Sequence, residues 1–289
     1  MIYHQPVLLQ ETIDLLSPSP DKVFIDCTLG HGGHTIELLK CGATVFGIDQ
    51  DPSNLAIASD RIRELNLSKN FTPINENFSE LTSVYKKYIH HQVNGILFDL
   101  GLSQNQQTAT DRGFSFNDTL SLDMRLSPVT QSQTAENFIN TASPEELYSA
   151  FSKIAQEQYS QPLVDEIIHH RQKQSIKTGQ QLANIIRDFY QKKHVKTAID
   201  PATKIFLALR VLVNDEFANL KSVLSQTLEI VSPKGTVCVI SFHSGEDRIV
   251  KQFIQKYHLS KTKLIIPSSE EIRLNSLSRS ARLRSYTIV

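Results

Sequence analysis

The stretch VFIDCTLGHGGHTIELL, residues 23–39, passes from an apolar run through glycines and histidines into a helical apolar pattern. Its predicted reading is a short buried strand, a turn stripped of Cβ atoms, and a helix. Working outward, KVFIDCT (22–28) is followed by ATVFGID (43–49), the weaker FTPINEN (71–77) and VNGILFDLG (93–101), with helical periods between them. Strands alternating with helices predict a parallel α/β sheet covered on both faces. The turn after the first strand of such a sheet lies at the carboxyl edge, where ligands bind.

After Gly101 the texture changes. LSQNQQTATDRGFSFNDTLSLDMRLSPVTQSQ (102–133) is polar and aperiodic, which predicts a long loop or lid. From Thr134 to Lys193 the pattern is helical: SPEELYSAFSKIA opens on a helix-start signal, and TGQQLANIIRDFYQKK has apolar positions at helical spacing. The α/β texture returns with ATKIFLALRVLVNDEFANLKSVLSQTLEIV (202–231), read as one helix, then strand TVCVISF, helix EDRIVKQFIQKY and a strandlike end, SARLRSYTIV. The expected organisation is an α/β domain of residues 1–103 and 201–289, interrupted by a loop and helical domain of residues 104–200.

Gly30, Gly32 and Gly33 let a ligand approach bare backbone and let the turn use positive φ. Nineteen residues after Gly30, Asp49 ends the second strand, where a carboxylate can accept from both hydroxyls of a ribose. Thr35 stands where a dinucleotide fingerprint needs its third glycine, and no Gly-Lys-Ser/Thr follows for a P-loop. Loop, strand edge and Asp49 together point to S-adenosylmethionine rather than a pyrophosphate. Asp99 ends the strand GILFDLG on the same rim. It can cap that strand, bind the cofactor's adenine amine, or accept from the N4 amine of a cytosine. Leu100-Gly101-Leu102 follows it, not the Asp/Asn-Pro-Pro-aromatic motif common in methylases of exocyclic amines.

Composition sets outer bounds. The 289 residues are 40% hydrophobic, enough to bury a substantial core, and 30 basic residues balance 30 acidic ones, so a polyanion must be read from local patches. Cys27, Cys41 and Cys238 are too scattered for a disulfide framework or a zinc site, and the histidine pairs 90–91 and 169–170 put neighbours on different faces; no metal is expected. With no signal-peptide pattern and no apolar run of bilayer length, the expected location is the cytoplasm, without membrane attachment. The sequence leaves monomer and homodimer both open.

The words HQPVLLQE (4–11), DCTLGHGGHT (26–35), GIDQDP (47–52), FSEL (78–81), GILFDLGLS (95–103), DRGFSF (111–116), LDMR (122–125), PATKIFLALRVLVNDE (201–216), VISFHSGEDRIVK (239–251) and RSARLR (279–284) resemble, in order, those of the ribosomal RNA small-subunit methyltransferase H family, formerly called MraW. The resemblance implies a Rossmann-like class I S-adenosylmethionine-dependent methyltransferase sheet with an inserted helical domain. It implies N4-methylation of a cytidine in 16S ribosomal RNA at the decoding centre, with the small-subunit RNA or the subunit as partner. It also implies that Gly32, Gly33 and His34 line the cofactor's methionine end, that Asp49 holds the ribose, that Phe78 packs by the adenine, and that Asp99 and Gln106 complete the pocket. Departures fall on the substrate side: Leu102 to Asn105, Asp200 and Lys204, Gly245, and Asn275 to Ser280 differ from the family's usual words.

Charge and aromatics give RNA a separate reading. From Ser260 onward six basic residues face two acidic ones, a local excess suited to phosphates or to an ordinary solvated surface. Arg112, Phe114 and Phe116 mix a cation with rings that could stack a base or anchor the loop to a core. Arg125 and Arg248 are expected either on RNA or paired with Asp123 and Asp247, and His243 and Arg282 complete the candidate substrate set. Ser244 is placed to cap the helix that follows. Asp99 is the candidate catalytic residue, aligning the amine. Two rival classes share parts of this pattern: a nicotinamide-dependent oxidoreductase, and a non-catalytic RNA-binding assembly protein on a methyltransferase fold.

Overall fold

The computed structural model describes residues 6–103, 106 and 111–288. His4 and Gln5 of the first family word, and Gln104 and Asn105 among the departures, lie outside the described residues. Helix α1 (Leu9–Leu16) precedes β1 (Val23–Asp26), α2 (Gly33–Lys40), β2 (Thr44–Asp49), α3 (Pro52–Glu64), β3 (Phe71–Asn75), α4 (Leu81–Tyr88) and β4 (Val93–Asp99). Then come α5 (Ala135–Thr141), α6 (Pro144–Ser149), α7 (Ser160–Lys173), α8 (Gly179–Lys192) and α9 (Ala202–Val213). The chain closes with α10 (Glu216–Ile230), β5 (Val231–Ser241), α11 (Ser244–Lys256), β6 (Ser260–Lys261), α12 (Ser269–Leu274) and β7 (Arg282–Thr287).

The strands form one sheet in the order β3-β2-β1-β4-β5-β7-β6. The first five are parallel, and β7 runs antiparallel to both β5 and β6. The strand expected to be weakest, β3, is an edge, where Pro73 costs no ladder hydrogen bond on its open side. Successive residues of the apolar strands enter opposite cores. Ile25, Ile96, Phe98, Val237 and Val239 pack on one face. Phe24, Leu97, Cys238 and Ile240 pack on the other. This alternation explains why the strands read as continuous apolar runs. Each such buried side chain contributes roughly 1.5–3 kcal/mol of transfer free energy. Strand order reverses between β1 and β4, which puts the crevice of an open α/β sheet at their carboxyl ends.

Contacts divide the chain into two compact units, Met1–Ser103 with Phe217–Val289, and Gln104–Glu216. The second is helical. Capping boxes start α6, from Ser143 and Glu146, and α8, from Thr178 and Gln181. Their apolar faces share a core with Ile205, Phe206 and Leu209 of α9.

The run 202–231, read as one helix, is two. Asp215 adopts a left-handed φ of 50° between α9 and α10. Asn214 before it is buried; its Nδ2 donates to the carbonyls of Met124 and Arg210, and its Oδ1 accepts from Leu126 and Gln131. These bonds divert the chain, and they place α9, assigned to the α/β domain on sequence, inside the helical unit.

The segment 111–133, expected as an open loop or lid, is pinned within that unit as well. Buried Asp118 accepts from the backbone of Gly113, Leu120 and Ser121.

Candidate functional site

The crevice is built by strand ends. Leu29 donates to the carbonyl of Ile48 and Cys27 to that of Leu97, so the turn after β1 is stitched to both neighbouring strands. Gly30 and Gly32 turn the chain at φ of 51° and 75°. Gly33 opens α2 packed so closely on Pro6 that a Cβ would lie 2.3 Å from its Cγ.

Asp49, at the end of β2, holds this turn in place. Its Oδ2 accepts from Gly30 N at 2.8 Å and Asn54 Nδ2 at 3.1 Å, and its Oδ1 accepts from Asp51 N at 2.8 Å. A carboxylate offers about four acceptor positions, so about one stays open for a ribose hydroxyl. Both hydroxyls could be held together only if one of the existing bonds were released. Burial pushes the carboxyl up to about 6, against the pull of these bonds.

Asp99 ends β4 at the switch point. Its backbone N–H donates to Thr28 Oγ1 at 2.5 Å, which ties the ends of β1 and β4 together. Its Oδ1 is buried without a hydrogen-bond partner among the described residues, and its Oδ2 lies 3.6 Å from His34 Nδ1. Burial first, then the charges of Asp26 and Glu246, raise the Asp99 carboxyl to about 8. Burial also lowers His34 to about 4, so its ring is neutral at physiological pH. The His34 Nε2 lies 3.1 Å from the carbonyl of Val7, which can only accept, so the ring proton sits on Nε2 and Nδ1 turns a lone pair toward Asp99. That arrangement favours a protonated Asp99.

Two of these residues were missed in the sequence. Asp26 is buried, accepts from Thr35 Oγ1 at 2.7 Å and Thr28 N at 3.2 Å, and is raised by burial to about 6. The available signal was a charged residue inside an apolar strand. Glu246, from α11, acts on Asp99 across the sheet edge, and nothing in the local sequence marks it.

The edge thus gathers buried carboxyls whose negative charge is poorly compensated. A pyrophosphate would be repelled there, whereas a cation would relieve the cluster. S-adenosylmethionine carries a sulfonium and an ammonium, and the partnerless Asp99 Oδ1 is an acceptor awaiting a donor, so the residues present fit the cofactor.

Other candidates are distributed differently. Phe78, after β3, packs edge-to-face on Phe98 with ring centroids 6.0 Å apart. Gln106 is buried and belongs to the helical unit. So do Arg112, Phe114, Phe116 and Arg125, whose side chains serve that unit's own structure. Phe114 and Phe116 pack against its core, and Phe116 also meets Phe206 edge-to-face at 5.8 Å. Arg112 donates to the carbonyls of Arg125 and Leu126 and lies over the Phe114 ring. Arg125 makes a bidentate pair with Asp123 and donates to the carbonyls of Pro128 and Gln131. Against partial burial, Arg125 holds the Asp123 carboxyl below its usual range.

On the α/β unit Arg248 is exposed, and Asp247 pairs with Arg282 and Arg284 rather than with it. His243, not Ser244, is the N-cap of α11: its Nδ1 accepts from Gly245 N, while Glu246 Oε2 accepts from Phe242 N and His243 N. Cys27 and Cys238 are buried free thiols, whereas Cys41 is exposed. No helix among the described residues is long and apolar enough to cross a membrane.

Strand order, glycine turn and acidic rim together define a Rossmann-like methyltransferase of the S-adenosylmethionine-dependent class. Comparison with known proteins makes the assignment narrower. The chain belongs to the MraW methylase family, whose model matches residues 1–289. It is 39% identical over 293 residues to ribosomal RNA small subunit methyltransferase H of Borrelia turicatae, covering 98% of this chain and 97% of that one. The proteins of the same name from Deinococcus deserti and Orientia tsutsugamushi strain Boryong are 38% and 36% identical, each across 98% of this chain and over 93% and 97% of their own lengths. Among solved structures, the Streptococcus mutans protein SMU.1697c in complex with SAH matches over 100% of both chains with a TM-score of 0.50 at 14% identity, a likeness of fold.

Proposed function

We propose that this protein transfers the methyl group of S-adenosylmethionine to N4 of a cytidine in small-subunit ribosomal RNA, at the decoding centre, in the cytoplasm. The observation that carries the reading is the unpartnered Oδ1 of Asp99 at the switch point, on a rim short of positive charge. The MraW family membership and the names of the relatives supply the RNA and the subunit.

When bound, the cofactor supplies an electrophilic methyl group. Gly30, Gly32, Gly33 and His34 would form the floor against its methionine end, Asp49 would accept from a ribose hydroxyl, and Phe78 would pack by the adenine. Asp99 would accept from the cytosine amine and orient that nitrogen toward the methyl group, with the base turned out of its RNA context. The methyl group would exchange its bond to sulfur for one to the amine nitrogen, releasing the neutral thioether, and the amine's proton would go to the ionised Asp99 carboxylate or to water. The helical unit, Gln104–Glu216, recognises the RNA.

The test is incubation with radiolabelled S-adenosylmethionine and small subunits from cells lacking their own enzyme, followed by RNA digestion. Label in N4-methylcytidine supports the proposal. Label in another nucleoside refutes the base assignment, and RNA binding with no label supports a non-catalytic assembly role.

A further inference from the structure

The same edge of the sheet carries a second concavity that the crevice does not use. A cleft of about 370 Å3 lies between the turn after β5, the segment leading into α12 and the start of β7, lined by Phe242, His243, Ile266, Ile272, Arg279 and Arg282. One wall is apolar and open, with Ile266 64% exposed. The other is cationic. Arg284 takes Asp247 with two contacts at 2.7 and 3.2 Å, so Arg282 reaches the same carboxylate only at 3.4 Å. Arg279 is exposed and forms no ion pair among the described residues.

The nearby acids are engaged or turned to other work. Glu246 bonds the turn of Phe242 and His243, and Glu271 accepts from Leu8 N. Glu270, exposed on α12, lies outside the lining. The lining itself carries two arginines, Arg279 and Arg282, and no carboxylate, which puts positive charge beside an apolar surface. That pairing of features suits a ligand with a phosphate at one end and a flat ring at the other.

Position decides which ligand. Phe242 lines the cleft and also packs against Gly101, where a Cβ would meet its ring at 3.3 Å. Gly101 lies two residues beyond Asp99, so one phenyl ring separates the cleft from the end of β4. Neighbouring strands are about 4.8 Å apart, which places the cleft one or two strand spacings from the acidic rim.

We propose that this cleft binds a nucleotide of single-stranded RNA next to the target cytidine, its phosphate on Arg279 and Arg282 and its base against Ile266 and Phe242. The assignment rests on the RNA methylation proposed above.

The test uses the full chain and a fluorescent single-stranded oligoribonucleotide titrated across a range of salt. Each phosphate neutralised on a single strand adds about 0.7 to the slope of log affinity against log salt, so Arg279→Ala with Arg282→Ala, which together hold one phosphate, should lower it by about 0.7. Asp247 keeps Arg284 in that variant, and unchanged S-adenosylmethionine affinity confirms an intact fold. Ile266→Glu, at an exposed position, should weaken RNA binding without altering cofactor affinity. Slopes and affinities equal to the native values in both variants overturn the cleft assignment, even if methyl transfer to subunits is normal. Failure of the native chain to methylate any RNA overturns the reading beneath it instead, and that result comes from a separate assay.

Discussion

The acidic rim makes S-adenosylmethionine binding a proton-linked event, and Asp99 sets the window. In the ligand-free protein its carboxyl titrates near 8. A sulfonium or ammonium beside it favours the carboxylate, so the bound value must fall and a proton must leave. The sign follows: affinity is weak where Asp99 is protonated and rises with pH until about 8. At full coupling the ionised fraction is about 0.03 at pH 6.5 and about 0.76 at pH 8.5, a ratio of about 25. A quarter of the side chain is open to solvent. Screening by that water reduces the expected gain to about tenfold.

Asp26 and Asp49 titrate near 6 and His34 near 4, so the interval above 6.5 belongs mostly to Asp99. The ligand's own amino group titrates near 8 as well, which makes the difference between the native chain and Asp99→Asn the informative quantity. Calorimetric titration in buffers of unlike ionisation enthalpy would give both affinity and proton release. Release near pH 7 and a rise in affinity, both abolished in Asp99→Asn, are expected. Identical pH profiles in the two proteins would refute the argument.

The same carboxyl affects stability. Its folded value is raised, so its favourable contribution is complete below the unfolded value near 3.9 and is lost as pH rises through about 8. Asp99→Asn should therefore raise the melting temperature at pH 8 while abolishing transfer, by about 2–4 °C for each kcal/mol relieved.

Thr28→Val keeps the shape of the side chain but leaves the Asp99 N–H without its acceptor, at a cost of about 1–3 kcal/mol. Single-turnover methyl transfer should slow about tenfold or more, and an unchanged rate would show that this bond does not position Asp99. Gly33→Ala drives a Cβ to 2.3 Å from Pro6 Cγ. Such overpacking costs about 1–3 kcal/mol and should lower both the denaturant midpoint and the cofactor affinity. Arg125→Ala removes the Asp123 pair and two carbonyl contacts, so it should cost about 1.5–3 kcal/mol in unfolding experiments and leave the salt slope of RNA binding unaltered. A shallower slope with native stability would reassign Arg125 to phosphate contact.

Local chemistry was legible where neighbours in the chain decide it. The first four strands, the glycine turn and the capped helices α6 and α8 depend on periodicity and on side chains within a few residues of one another. Legibility failed where a distant group intervened. The break between α9 and α10 has an unbroken apolar period across it and comes from Asn214 reaching Met124 and Leu126. The cap of α11 shifted by one residue because the His243 ring could accept from Gly245 and Glu246 could close the box. A local pair of Asp247 with Arg248 was one of two readings open for that arginine, but β7 brings Asp247 the two arginines it pairs with.

By itself the sequence determined a parallel α/β sheet with a bare turn after β1 and acids at the ends of β2 and β4, because strand period, glycine and terminal carboxylates are properties of short segments. The tertiary structure alone decided what those acids do. Asp26, Asp99 and Glu246 are separated by 73 and then 147 residues, as 99 − 26 and 246 − 99. Strand order β1-β4-β5 brings them to one edge, where low dielectric and mutual repulsion hold a proton on Asp99.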